Sequence, residues 1–164
     1  MKNTNGFTLL ELLIAAMLVA VLAMFATLAF RQTSSDIRLQ DAKNRADYIA
    51  VAMQRFWMDN SGSLASQDYI LSNPATPAVP ANCDASIVFP TSVGSLQNLV
   101  DCGYLEYRAY LDANFTFQYK YQGGSTPALI CVCGASGKLS AKYKCSEGYS
   151  YCTDGENHTE QFGS

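Results

Sequence analysis

One stretch of sequence decides the fold. Residues Phe7 to Phe30 read FTLLELLIAAMLVAVLAMFATLAF, with a single charged side chain, Glu11, and neither Pro nor Gly. At about 1.5 Å per residue, a helix of this length spans roughly 36 Å, which exceeds the roughly 30 Å of a bilayer's hydrocarbon core. Residues 7–30 are therefore predicted to form a transmembrane helix.

A cleaved secretory signal is the first alternative for this stretch. Such a signal has an apolar region of only about 7 to 15 residues, followed by a small-x-small cleavage site. The run here is longer, and the chain continues after Phe30 as RQTSSDIRLQDAK, which lacks that site. The pattern therefore favours a retained helix.

Polar residues are concentrated in the rest of the chain, where 13 of the 14 acidic and 10 of the 11 basic residues lie after Phe30. A soluble single domain does not segregate polarity in this way, and an aromatic content of 12% argues against disorder.

The net charge of −3 argues against a broad cationic face, so DNA binding is not indicated. A single histidine, with no nucleophile elbow or phosphate-binding glycine loop, indicates no enzyme, and no cofactor is expected.

The helix is predicted to continue beyond the apolar stretch. Between residues 31 and 60, apolar side chains recur every three or four residues and charged ones fill the other faces, as in an amphipathic helix. We expect one helix from about Thr8 to about Asp59, with Asn60–Gly62 as its stop signal. Two helices broken near residues 32–35 are the alternative. The apolar positions are Leu39, Ala42, Ala46, Ile49, Ala50, Met53, Phe56 and Trp57.

Glu11 is unusual because a carboxylate inside a bilayer costs on the order of 2.5 to 3.5 kcal/mol near its centre. A cut after Gly6 would give Phe7 a free amino group four residues before Glu11, on the same helical face. That amine could neutralise the carboxylate within the chain or in a neighbouring copy.

The segment Gly6 to Leu13, GFTLLELL, resembles the cleavage and methylation signature of type IV pilins and type II secretion pseudopilins. The resemblance implies that residues 1–6 are a leader, removed between Gly6 and Phe7 by a prepilin peptidase, and that Phe7 is then N-methylated. It implies that Glu11 pairs with the Phe7 amine of an adjacent subunit during assembly.

By the same resemblance, the protein is expected to be a major or minor subunit of a type IV pilus-like filament. Its partners would be itself and related pilins, the prepilin peptidase, an inner-membrane assembly platform, and lipid before assembly. Because the cysteines must reach an oxidising compartment, the N-terminus would be cytoplasmic and the C-terminal domain outside before assembly. Afterwards, by the resemblance, the protein would lie in a cell-surface filament.

Two other functions stay open at this point. Ala20 and Leu28 stand where major pilins often carry a helix-breaking Pro or Gly, which slightly favours a pseudopilin or a minor pilin. A membrane-anchored binding or sensor domain with an uncut helix is the third alternative, although a simple anchor gains nothing from Glu11.

The region after the helix is predicted to be a small α+β domain in which the outer helix covers an antiparallel sheet. Residues 61–113 are expected to form a loop that carries a short helix near 95–102, capped by Gly103. Residues 114–145 are expected to form the sheet, and 146–164 an acidic C-terminal loop. The three predicted strands are 115–121, 128–133 and 138–144.

Six cysteines after position 82 predict up to three disulfides in an oxidising compartment, and their 15 possible pairings cannot be separated by sequence alone. Cys131 and Cys133 would share a strand face, so each is expected to reach another element. A bond between Cys83 and Cys102 would staple the loop to the short helix. The resemblance to the terminal disulfide loop of pilins favours the pair Cys145–Cys152.

The acidic tail offers a weak calcium candidate at Asp154 and Glu156. Because the EF-hand spacing is absent, a solvated acidic loop is the favoured interpretation and no metal site is predicted.

Overall fold

The computed structural model describes residues 9–59, 64–77, 83, 88–91, 94–123, 128–135, 139, 142–143 and 148–160. The protein divides into two compact units, one ending at Leu39 and the other beginning at Gln40. The predicted leader (1–6), Phe7 and the stop signal at Asn60–Gly62 lie outside the described residues.

Helix α1 runs from Leu9 to Asp59 without a break, so the single-helix prediction is confirmed and the two-helix alternative is wrong. In the first unit, every residue from Leu9 to Phe30 is exposed. Large apolar side chains point outward on all faces of this part of the helix; Leu9 is 82% exposed and Phe25 66%. The segment is long and apolar enough to cross a membrane, and none of its most apolar window is buried within the protein.

The second unit is an α+β domain, as predicted. Its sheet consists of five antiparallel strands in sequential order: β1 (Tyr69–Ile70), β2 (Phe115–Lys120), β3 (Leu129–Gly134), β4 (Tyr151–Thr153) and β5 (His158–Glu160). The part of α1 from Gln40 onward lies over this sheet and buries its apolar stripe, which comprises Ala42, Ala46, Ile49, Ala50, Met53 and Phe56.

The centre of the core is aromatic. Phe56 of α1 packs edge-on against Phe89 and Tyr104, with ring centroids 6.4 and 5.6 Å apart. Phe89 packs in the same way on Tyr119 of β2 at 6.0 Å, and the Tyr119 hydroxyl donates a 2.7 Å hydrogen bond to the Ala65 carbonyl. Burial raises the pKa of this phenol, so it remains a hydrogen-bond donor. These contacts join the helix, the loop after it and the sheet.

The short helix α2 (Gln97–Asp101) lies within the predicted segment 95–102. Gly103 follows it with a φ of 76°, a left-handed conformation that favours glycine. The amide N–H groups of Gly103 and Tyr104 donate to the carbonyls of Val100 and Leu99, which is the hydrogen-bond pattern of a Schellman cap. Gly103 thus ends the helix as the sequence indicated.

Two predictions for the C-terminal region are wrong. In the third predicted strand, 138–144, the described residues Leu139 and Lys142 are helical, and the amide N–H of Tyr143 donates to the Leu139 carbonyl at 2.8 Å. Leu139 and Tyr143 are four residues apart, so their apolar pairing also fits one helical turn. The segment predicted as an acidic loop, 146–164, contains strands β4 and β5, which complete the sheet.

Disulfides cross-link two regions of the second unit. Cys83–Cys102 is present and ties the loop to the end of α2, as expected. The predicted pair Cys145–Cys152 is wrong, because Cys152 is bonded to Cys131. Those two cysteines lie directly opposite each other on β4 and β3, an alignment that depends on a strand the sequence did not reveal. Cys133 is disulfide-bonded as well, and Cys145 lies outside the described residues.

Candidate processing and assembly site

The predicted processing site lies at the N-terminal end of the chain. Gly6 and Phe7, the expected cleavage and methylation positions, lie outside the described residues. Glu11 lies in the first turn of α1, and its backbone is helical. A carboxylate in the first turn interacts favourably with the positive end of the helix dipole.

The surroundings of Glu11 are apolar and outward-facing. Leu10, Leu12 and Leu13 are exposed by 70%, 62% and 48% respectively, and Glu11 itself is exposed. A carboxylate amid leucines on an open apolar surface is suited to contact with another molecule, since lipid or a packed neighbour strengthens any charge pair it makes. The sequence had singled out this residue for the same reason.

A second cluster joins α1 to the C-terminal strands, and sequence reasoning missed it. The Lys43 ammonium, on a residue only 7% exposed, pairs with the Glu160 carboxylate at 2.6 Å. The same ammonium lies 5.4 Å from the centroid of the Tyr151 ring. The Tyr151 hydroxyl donates to the Asp47 carboxylate at 2.5 Å. Burial, and then the hydrogen bond to Asp47, raises the pKa of the Tyr151 phenol and keeps it a donor.

The turn between β4 and β5 contains the two weak calcium candidates. The Asp154 carboxylate accepts hydrogen bonds from the backbone N–H groups of Glu156 and Asn157, at 2.9 and 2.7 Å. Partial burial acts to raise the pKa of Asp154, but these hydrogen bonds outweigh it and the pKa lies below its usual value. Within the described ranges, no three His, Cys, Asp or Glu side chains are grouped to hold a metal ion. Through its two backbone hydrogen bonds, the carboxylate of Asp154 stabilises the turn.

A signal for this hairpin was present in the sequence. Four residues, Asp154 to Asn157, separate Tyr-Cys-Thr from His-Thr-Glu, and the Asp-Gly among them is a hairpin signal between short alternating segments. Gly155 adopts a φ of 99°, and a Cβ atom there would lie 3.2 Å from Val51 of α1. The turn is thus held close against the helix.

Comparison with known protein families finds a match, and it lies over the N-terminal part of the chain. Residues 1–27 match the prokaryotic N-terminal methylation motif, the signature of type IV prepilin-like proteins, which are structural rather than enzymatic. No curated protein and no solved structure matches the chain. Residues 1–27 therefore carry the type IV prepilin-like signature, and the apolar helix that they enter is consistent with membrane anchoring.

Proposed function

We propose that the protein is a structural subunit, a major or minor pilin, of a type IV pilus-like filament. The observation that carries the proposal is the methylation motif over residues 1–27, which includes most of the part of α1, residues 9–30, that is apolar and exposed on every face. A helix that is apolar all round needs an apolar environment. Lipid provides it before assembly, and the helices of other subunits provide it in the filament.

In this proposal, prepilin peptidase cuts between Gly6 and Phe7 on the cytoplasmic side, and the new Phe7 amine is methylated. The assembly platform then moves the subunit from the inner membrane into the filament. Glu11 of the incoming subunit pairs with the Phe7 amine of its neighbour and so neutralises both charges among apolar helices. The C-terminal domain, with its disulfides, lies outside the membrane and later at the cell surface.

A pseudopilin of a type II secretion system is the second candidate. Helix α1 continues without a break through Ala20 and Leu28, positions where a helix breaker would favour a major pilin whose helix melts in the filament. Long surface filaments favour the pilin, and their absence from cells that process the protein normally favours the pseudopilin.

The decisive experiment is the intact mass of the protein in a sheared surface fraction and in the membrane fraction, from cells with and without prepilin peptidase. The proposal expects a chain that lacks residues 1–6 and carries one added methyl group in the sheared fraction. Gly6→Leu should block the cut. An uncut chain found only in the membrane would refute the proposal and leave an anchored outer domain.

Replacement of Glu11 tests the assembly step separately. Glu11→Gln should leave insertion and processing intact and lower filament yield more than tenfold, because breaking a desolvated ion pair costs about 3 kcal/mol or more. Glu106→Gln, an exposed carboxylate in the second unit, is the matched control and should assemble normally. Normal filament yield from Glu11→Gln would exclude the charge pairing.

A further inference from the structure

The second unit carries a basic and aromatic cluster on one flank of α1. The Arg108 guanidinium lies 5.0 Å from the centroid of the Tyr110 ring and 5.8 Å from that of Tyr48. The two rings stack with their centroids 5.8 Å apart. Arg45 supports the cluster by donating a 3.2 Å hydrogen bond to the Tyr110 carbonyl. Together these residues line an open cavity of about 330 Å³, called here the Arg108 cavity.

Arg108 is the available charge in this cavity. Arg45 is already paired with Asp41 at 2.7 Å, whereas Arg108 is exposed and makes no ion pair with any residue in the described ranges. Contact with two rings restricts the guanidinium, so less side-chain entropy is lost when it binds a partner. A planar guanidinium is suited to a carboxylate, which it binds with two parallel N–H groups.

A matching carboxylate lies on a different surface of the same unit. Glu156 is exposed in the turn between β4 and β5, and no lysine or arginine of the described part lies within ion-pair distance of it. The turn is also acidic through Asp154, and the sequence after Lys144 contains no Lys or Arg. Glu156 is therefore a charge without an ion-pair partner among the residues that the structure describes.

The turn and the cavity lie on different flanks of α1. The C-terminal hairpin contacts the helix at Lys43, Asp47 and Val51, whereas Asp41, Arg45 and Tyr48 line the cavity. At about 100° per residue, the three positions that face the hairpin are centred about 110° around the helix from the four cavity-lining positions, which include Asn44. The helix thus lies between the hairpin and the cavity, and Glu156 and Arg108 make no ion pair with each other within one copy.

Two different, complementary patches on one molecule form a head-to-tail contact. Such a contact repeats without limit and gives an open helical array unless the rotation closes it into a ring. We infer that Glu156 of one copy binds Arg108 in the cavity of a second copy of this chain. The inference rests on the proposed filament function and adds to it a contact between neighbouring C-terminal units, separate from the packing of the apolar helices.

The test is site-specific cross-linking in assembled, full-length protein. The photoreactive residue p-benzoylphenylalanine replaces Tyr48 in cells whose subunits are a mixture of isotopically heavy and light chains. Mass spectrometry of the sheared fraction should find position 48 linked to a peptide that contains residues 154–157, with heavy–light pairs showing that the link joins two copies.

Charge variants then establish the pairing. Arg108→Glu should lower the yield of this link about fivefold, the ratio expected for an exposed ion pair at the strong end of the measured range. Adding Glu156→Arg in the same chain should restore it, because the charges are then exchanged rather than lost. Arg55→Glu, at an exposed arginine of α1 outside the cavity, is the matched control and should leave the yield unchanged.

Three results would overturn the inference: a link within one copy, a link to another protein or another region, or a yield that neither falls with Arg108→Glu nor recovers in the double variant. Methylated filaments without the link would refute this contact and leave the filament function standing. An uncut chain confined to the membrane would refute both.

Discussion

Phe25 and Phe56 lie on the same helix, yet Phe25 is 66% exposed and Phe56 is fully buried. Residues 9–30 are apolar on every face and expose all of their side chains, whereas the part of α1 from Gln40 onward is apolar on one face and buries it. An apolar stripe can be covered by the chain's own sheet, but an all-round apolar surface cannot. The first unit therefore needs an apolar environment from outside the chain, and the second is stabilised from within.

The largest expected effect comes from exchanging this pair of phenylalanines for alanine. Phe56→Ala should lower the free energy of unfolding of the second unit by about 3–5 kcal/mol, because it leaves a cavity in the aromatic core. Phe25→Ala should change it by less than about 0.5 kcal/mol. Urea unfolding in detergent, followed by the fluorescence of Trp57, the single tryptophan, measures both. A comparable loss of unfolding free energy from Phe25→Ala would show that the two phenylalanines do not differ in their contribution to stability.

Covalent support belongs to the second unit alone, since all six cysteines follow position 82. Replacing Cys131 and Cys152 together by serine should cost about 3 kcal/mol. Their separation of 21 residues is close to the 19 of Cys83 and Cys102, so the loop-entropy contribution of the two bonds should be nearly equal. Trp57 fluorescence in urea compares the two double variants. Unchanged stability after loss of either bond would contradict this expectation.

A smaller effect should come from the contact between the C-terminal hairpin and α1. Tyr151→Phe should cost about 1.5–3 kcal/mol, because it removes the hydrogen bond to the charged Asp47. Tyr110→Phe is the matched control; its buried hydroxyl has no hydrogen-bond partner within the described part of the chain, so its removal should cost nothing. Equal losses measured by urea unfolding would show that the Tyr151 hydrogen bond contributes no specific stability.

The smallest effect should be the pH dependence due to Asp154. Its pKa is lowered in the folded state, so its stabilisation is present above the unfolded pKa of about 3.9 and is lost as the pH falls through the folded value. Asp154→Asn should therefore reduce the decrease of the unfolding free energy with falling pH below about pH 4. Near pH 7 the dependence of the unfolding free energy on pH should be unchanged. Parallel acid limbs in the wild type and the variant would show that this turn does not contribute.

Much of the fold could be predicted because its signals are local. Helix α1 was expected to end at about Asp59 and does, since its apolar run contains no Pro or Gly and its later stripe has helical period. The alternation of Phe115, Phe117 and Tyr119 against polar neighbours located β2, and all three side chains are buried. Gly103 located the end of α2, because its left-handed φ is a property of the residue itself.

The C-terminal region could not be predicted because its elements are too short for periodicity. Strands β4 and β5 have three residues each, and pairing with β3 on one side and β5 on the other makes Tyr151–Thr153 a strand. The apolar spacing in residues 138–144 is compatible with a strand and with a helical turn, and the strand prediction was wrong. The disulfide pairing failed for the same reason, since Cys152 has Cys131 opposite it only once β4 is in the sheet.

By itself the sequence determined the long helix, the α+β class and the position of Glu11 in the helix. It also predicted the processing site at Gly6 and Phe7. Each of these depends on residues that are close together in the chain. Only the tertiary structure decided the strand order, the Cys131–Cys152 bond, and the contacts of α1 with Tyr151 and Glu160. It also placed Glu156 and Arg108 on different flanks of α1. Those features join residues as far apart as the 21 positions between Cys131 and Cys152 and the 117 between Lys43 and Glu160. Such pairings follow from packing rather than from any local pattern.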